Sequence, residues 1–196
     1  MTTDVGVEPE ASSDQEATGS APPPWHQRWW AVAAALVVAD TPIVVATVRA
    51  LLRGWQPLGD NGILLVRAMD VGTRHHPLLG SWTSASLPLG EHVNNPGPLY
   101  FDLLALPVRV LGPWVGLAVG VMLVNVAATS LAVLVARRSL GVEAMAAVAL
   151  GAALLQFAMG SELLFDVWQP NALVLPFFAF TVVVAALAAG DRTMLA

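Results

Sequence analysis

The chain has 196 residues, 56% of them hydrophobic and only 12% charged, with a mean hydropathy of +0.67; a soluble domain is about half apolar and about one quarter charged, so a water-soluble globule is excluded and the apolar excess must face lipid. The net charge of −5 comes from Asp4, Glu8, Glu10, Asp14 and Glu16 in a leading tail with no basic residue before His26, and the balanced remainder holds no basic stripe for nucleic acid. With no cysteine there is neither a disulfide frame nor a thiolate metal site.

Residues 1–28 read as an acidic, disordered, cytoplasmic tail, since Ser, Thr, Glu, Asp, Gly and the Pro22-Pro23-Pro24 end offer almost nothing to bury. A signal peptide does not fit, because the region before the first apolar run is acidic and the run is too long for a cleaved segment. Trp29-Trp30 open that run, which continues to about Leu52. At about 1.5 Å per residue it covers a hydrocarbon core of roughly 30 Å. The paired tryptophans and Arg28 suit the headgroup layer.

A long polar loop, 53–112, follows and carries most of the Pro, Gly, His and Asn of the folded part. Its backbone groups would go unsatisfied in lipid. Within it, Asp60-Asn61-Gly62 opens a short helical pattern ending at Gly72, with apolar stripes at Ile63, Val66 and Met69 or at Leu64 and Ala68. Asp60 is the natural N-cap of that helix. The segment from Pro98 to Gly112 is apolar but short, and contains Asp102, Pro107 and Arg109. It either spans or lies along the surface, and its length favours the surface. Spans are then expected at 113–136, 142–160 and 171–190.

The fold class that results is an all-α integral membrane protein with about four transmembrane helices and two interfacial helices in the first extracytoplasmic loop. With 98–112 lying flat, Arg28, Arg137, Arg138 and Arg192 fall on one side. Cations flanking the short connections favour the cytoplasm, so the chain is expected in the inner (plasma) membrane with both termini cytoplasmic. If 98–112 spanned, Arg137 and Arg138 would move outside.

Function is expected on the polar outer platform. Asp60 follows Trp55-Gln56-Pro57 just after the first span and is a candidate general base, or else only a helix cap. Asp166, in the short loop before Trp168-Gln169-Pro170, lies on the same face. The two acids could position a nucleophile or hold a divalent cation through oxygen ligands; otherwise Asp166 is a solvated loop acid. Asp40 sits near mid-bilayer beside Thr41-Pro42, as a relay or ion site or as a hydrogen-bonded acid at a kink. His75, His76, His92 and Glu91 lack the spacing of a metal motif, so no metal ligand is assigned. Arg67 and Arg74 are candidates to grip a substrate phosphate, or to border anionic headgroups. No P-loop, dinucleotide glycine pattern or nucleophile elbow is present.

Taken together, Trp55-Gln56-Pro57 with Asp60, the segment Asn95-Pro96-Gly97-Pro98-Leu99-Tyr100-Phe101 running on to Leu111-Gly112, and Asp166 before a proline-containing span resemble a known layout. It is that of the polyprenyl-phosphate-sugar-dependent membrane glycosyltransferases of the GT-C fold, such as the protein O-mannosyltransferases and the lipid A aminoarabinose transferases. The resemblance covers nearly all of residues 29–190 but only the amino-terminal part of such enzymes, which have eight or more spans, so a fragment is expected. It implies sugar transfer from a polyprenyl-phosphate donor to an acceptor at the outer face, with Asp60 as catalytic base and Asp166 in support through acceptor positioning or a bound cation. It also implies substrate-binding roles for Asn95 and Tyr100 beside Arg67 and Arg74.

Overall fold

A computed structural model of the chain describes residues 25–190, the first four by backbone alone. The tail over residues 1–24 and Arg192 lie outside the described residues. Its elements are α1 (Trp25–Leu52), α2 (Asp60–Asp70), α3 (Ser86–Leu89), α4 (Pro98–Leu111), α5 (Pro113–Ser139), α6 (Val142–Met159), a 3-10 turn (Ser161–Leu164), α7 (Gln169–Ala172) and α8 (Val174–Ala188). Among the described residues the only β-type pairing is an isolated bridge between Trp82 and Asn94.

Four helical stretches are long and apolar enough to cross a membrane: Trp29–Leu52, Pro113–Ser139, Val142–Met159 and Gln169–Ala188. The protein is thus an all-α membrane protein with the four expected spans. The differences lie at their ends. Trp25 to Arg28 belong to α1 rather than to the tail, and α5 runs through Arg137 and Arg138 to Ser139. Cations in a last turn are favoured by the negative end of the helix dipole, and their long stems let them reach water from an apolar segment.

Small side chains let the helices approach closely. α5 is the hub, packed by α1, α4, α6 and α8. Ala35 and Ala39 of α1 meet Val133 of α5 and Met145, Ala149 and Ala152 of α6, while Ala132, Val135 and Ala136 of α5 meet Ala179, Val182 and Ala186 of α8. With little hydrophobic drive between helices in lipid, such close packing and polar ties hold a bundle together. The ties are visible. The Asp40 carboxylate accepts from the Thr129 hydroxyl and, at 2.7 Å, from the Ser130 hydroxyl, which joins α1 to α5. Gln156 Nε2 donates to the Ala39 carbonyl at 2.8 Å, and Asn125 Nδ2 to the Leu164 carbonyl at 3.0 Å.

Four antiparallel crossings set the ends of the bundle. The end of α1, the start of α5, the end of α6 and the start of α8 share one end, and Arg137 and Arg138 lie at the other. α4 does not add a crossing: its 14 residues extend about 21 Å, short of the roughly 30 Å hydrocarbon core. It folds back on the first third of α5, where a Cβ on Gly116 would overlap the Pro107 carbonyl and one on Gly120 would stand 2.7 Å from Leu104 Cδ2. α2 packs on α4 in turn, through Leu64, Leu65 and Ala68, with Val71 just after it, against Phe101, Leu104, Ala105 and Val108. Of the two apolar stripes of α2, Leu64 and Ala68 are therefore core, whereas Ile63, Val66 and Met69 face outward. The Arg109 guanidinium donates to the Val71 carbonyl beyond the end of α2, and His76 Nε2 approaches Asp102 Oδ1 at 3.7 Å. The result is a two-helix platform at one end of the bundle.

One expectation needs correction. Asp60 is not the N-cap of α2: Gly59 holds that position with φ 57°, and no side chain caps the helix. The glycine makes the turn by backbone alone, so the helix begins at Asp60 and its carboxylate has no capping bond to make.

Candidate functional site

On the platform, a cleft of about 360 Å³ opens between three segments. Asp60, Ile63 and Leu64 form the α2 wall; Ser81, Trp82, Thr83 and Ser84, with Asn95 and Pro96, form the loop wall; and Trp168, Gln169 and Pro170 come from the connection between the last two spans. Asp60 is the sole ionisable group in this lining. It is exposed, and no hydrogen bond or ion pair engages its carboxylate among the described residues. It is the first residue of an 11-residue helix.

The loop wall is held by backbone pairing. Ser81 N–H donates to the Pro96 carbonyl at 3.1 Å, and Asn95 N–H to the Ser81 carbonyl at 2.6 Å. Gly80, with φ 87°, sits where any Cβ would overlap the Pro96 carbonyl oxygen. Ser86 Oγ donates to the Val93 carbonyl at 3.1 Å and accepts from Val93 N–H at 3.0 Å, closing the base of the loop. Across the cleft, Asn95 Nδ2 donates to Gln169 Oε1 at 2.6 Å.

Asp166 is placed differently. Its Oδ1 accepts from Asn61 Nδ2 at 2.9 Å and from Trp168 N–H at 3.1 Å, and its Oδ2 accepts from Asn171 Nδ2 at 2.6 Å. It is half-buried and absent from the cleft lining. Three N–H donors on one carboxylate make a fixed joint: Asp166 fastens the start of α2 to the 166–171 segment, and through Asn61 it sets the position of the neighbouring Asp60. Tyr100 lies behind that joint, buried, with its hydroxyl donating to the Val167 carbonyl at 3.0 Å. Burial first, and the nearby Asp166 carboxylate second, push its phenol well above the usual tyrosine range. Its hydroxyl is turned into the core, where it ties α4 to the same segment.

The structure thus brings Asp60 and Asn95 to one cleft, with Asp166 and Tyr100 supporting its floor. It does not bring Arg67 or Arg74 there. Arg67 pairs with Asp70 at 3.5 Å, and Arg74 Nε donates to His75 Nε2 at 3.1 Å; Arg67 is seven residues along α2 from Asp60, about 10 Å away. His76 accepts from Gly72 N–H at 2.8 Å. Among the described residues no group of three or more His, Cys, Asp or Glu stands close enough to hold a metal ion. Sequence reasoning missed Trp82, Trp168 and Gln169 as lining groups and Asn61 as the link between the acids. Only Trp168-Gln169 carried a signal, as neighbours of Asp166; the other partners meet across 105 residues for Asn61 and Asp166 and 74 for Asn95 and Gln169.

Compared with protein-family models, with curated proteins and with solved structures, the chain finds no match.

Proposed function

We propose that the platform cleft is the acceptor side of a GT-C-like glycosyl transfer site, using a polyprenyl-phosphate sugar at the outer face of the plasma membrane. The observation that carries the reading is the cleft's composition. One unpartnered carboxylate stands among two half-exposed indoles, Trp82 and Trp168, with the amides of Asn95 and Gln169 and the hydroxyls of Ser81, Thr83 and Ser84 around them. Indole faces stack on the C–H faces of a pyranose while amides and hydroxyls exchange hydrogen bonds with its hydroxyl groups. Asp60 takes the proton of an acceptor hydroxyl as that oxygen attacks the anomeric carbon. The bond from that carbon to the lipid phosphate breaks, the lipid phosphate leaves, and configuration inverts. Asp166 acts as a positioning residue, and Arg67 and Arg74 can reach a donor phosphate only from outside the cleft.

Orientation is supported by the two short connections. The last turn of α5, before the short turn to α6, carries Arg137 and Arg138, whereas residues 160–168 carry Glu162 and Asp166 and no cation. Cations in short loops favour the cytoplasm, which supports an orientation with the platform outside. In membranes carrying the protein, sugar transfer from a polyprenyl-phosphate donor should be abolished by Asp60→Asn at equal protein level and equal donor binding. Unchanged turnover would refute the assignment.

A transport reading rests on Asp40 with two buried amide oxygens that have no partner, Asn125 Oδ1 and Gln156 Oε1. It requires an ion flux in liposomes that Asp40→Asn removes, and a flux-free wild type disposes of it.

A further inference from the structure

α6 has 18 residues and stops at Met159; beyond it Leu164 and Phe165 cover Ala46 and Ala50 of α1 but leave Val45, Val48 and Arg49 exposed. Two hollows meet there. The deeper, about 470 Å³, is lined by Pro42, Val45 and Ala46 of α1 and by Ala153 and Phe157 of α6, all within predicted spans. The upper, about 170 Å³, holds Arg49, Arg53 and Trp55 with Glu162 opposite. Ala46, Arg49 and Ser161 line both, so the two form one groove running from mid-span to the platform end of α1.

Its charge is the telling feature. Arg49 and Arg53 are four residues apart, hence on one helix face, where like charges oppose each other. Neither makes a side-chain hydrogen bond or an ion pair within 4.0 Å among the described residues, and Glu162, though it lines the same hollow, is paired with neither. An apolar channel ending in two unpartnered guanidinium groups at the edge of a span complements a lipid with a phosphate headgroup in shape and charge.

We propose that this groove seats an anionic diacyl glycerophospholipid of the surrounding bilayer, one acyl chain lying along Val45 and Phe157 and the phosphate diester between Arg49 and Arg53. The seat is separate from the Asp60 cleft and holds its lipid whether or not the cleft reacts.

The full chain, purified in detergent and titrated with phosphatidylglycerol, phosphatidylcholine or a polyprenyl phosphate under native mass spectrometry, tests the proposal. Phosphatidylglycerol should bind in preference to phosphatidylcholine and raise the Tm. That preference should fall roughly fivefold for Arg49→Ala or Arg53→Ala and roughly thirtyfold for both, and stay unchanged for Arg67→Ala. Ala46→Trp, which fills the groove and keeps both cations, should also reduce binding, and Glu162→Gln should strengthen it. Equal binding of the two phospholipids, or a preference that survives the double substitution, overturns the proposal. Stronger binding of the polyprenyl phosphate with the same arginine dependence would assign the groove to a different lipid and overturn it too.

Discussion

Two acids close together on the platform end show opposite uses of the same side chain. The Asp60 region is an open wall: the carboxylate begins a helix whose cap is a glycine, it lines a cleft, and nothing on the protein engages it. In the Asp166 region the carboxylate takes Asn61, Asn171 and the Trp168 N–H and never reaches the cleft. A carboxylate can be a reactive group only where its lone pairs are free, and a joint only where they are filled. Residue type is the same for both and each lies on the platform end, so the difference arises in the local cap and the tertiary contacts.

The sharpest way to break this contrast is to remove the joint. Asp166→Ala leaves three N–H donors without an acceptor and should lower stability by about 3 kcal/mol, since hydrogen bonds to a charged group are worth about 1.5–3 kcal/mol each and nearby water recovers part of the loss. Chemical denaturation in detergent measures this, and a change within about 0.5 kcal/mol, the size usual for a surface substitution, would show the joint to be ornamental. Next in size are the indoles: Trp82→Ala and Trp168→Ala should each raise the KM for the acceptor about tenfold with little change in kcat, as expected when uniform binding is lost. An equal fall in kcat would move those rings from binding to reaction.

Smaller still is the link itself. Asn61→Ala should cost about 1 kcal/mol, and together with Asp166→Ala the losses should be less than additive, because the two share one bond. Strict additivity in a double-mutant cycle would separate the two residues.

The smallest effect is the most selective. Tyr100 is the sole tyrosine, so phenolate absorbance reports it alone. With its phenol pushed upward in the folded state, the folded protein keeps the proton while the unfolded chain loses it near the usual value of about 10. The contribution to stability is complete below that pH and is lost as pH rises above it. The folded protein should therefore show no phenolate at pH values where a free tyrosine titrates, and Tyr100→Phe should flatten the alkaline loss of stability. Ordinary titration near pH 10 would place the hydroxyl in water.

The bundle was legible because apolar runs and their lengths are local properties: Pro113 and Val142 start their helices where the hydropathy changes. The short α4 was legible for the same reason, its length and the Gly112 turn keeping it from crossing. Asp60 was found by its place after Trp55-Gln56-Pro57, but its capping role was misread because Gly59 makes the turn without any side chain. The state of Asp166 depended on Asn61, 105 residues away, and the cleft on loops that only the packing of α2 on α4 brings together. No local pattern encodes such a meeting.

The most direct test of Asp60 as the reacting acid compares Asp60→Asn with Asp166→Asn in one reconstituted preparation, reading Tm and transfer rate side by side. The account predicts that Asp60→Asn keeps its Tm and loses a factor of about 10²–10⁴ in kcat, the usual contribution of a general base, while Asp166→Asn loses Tm and keeps most of its kcat once folded. A fully active Asp60→Asn, or a reversal of the two patterns, would contradict it.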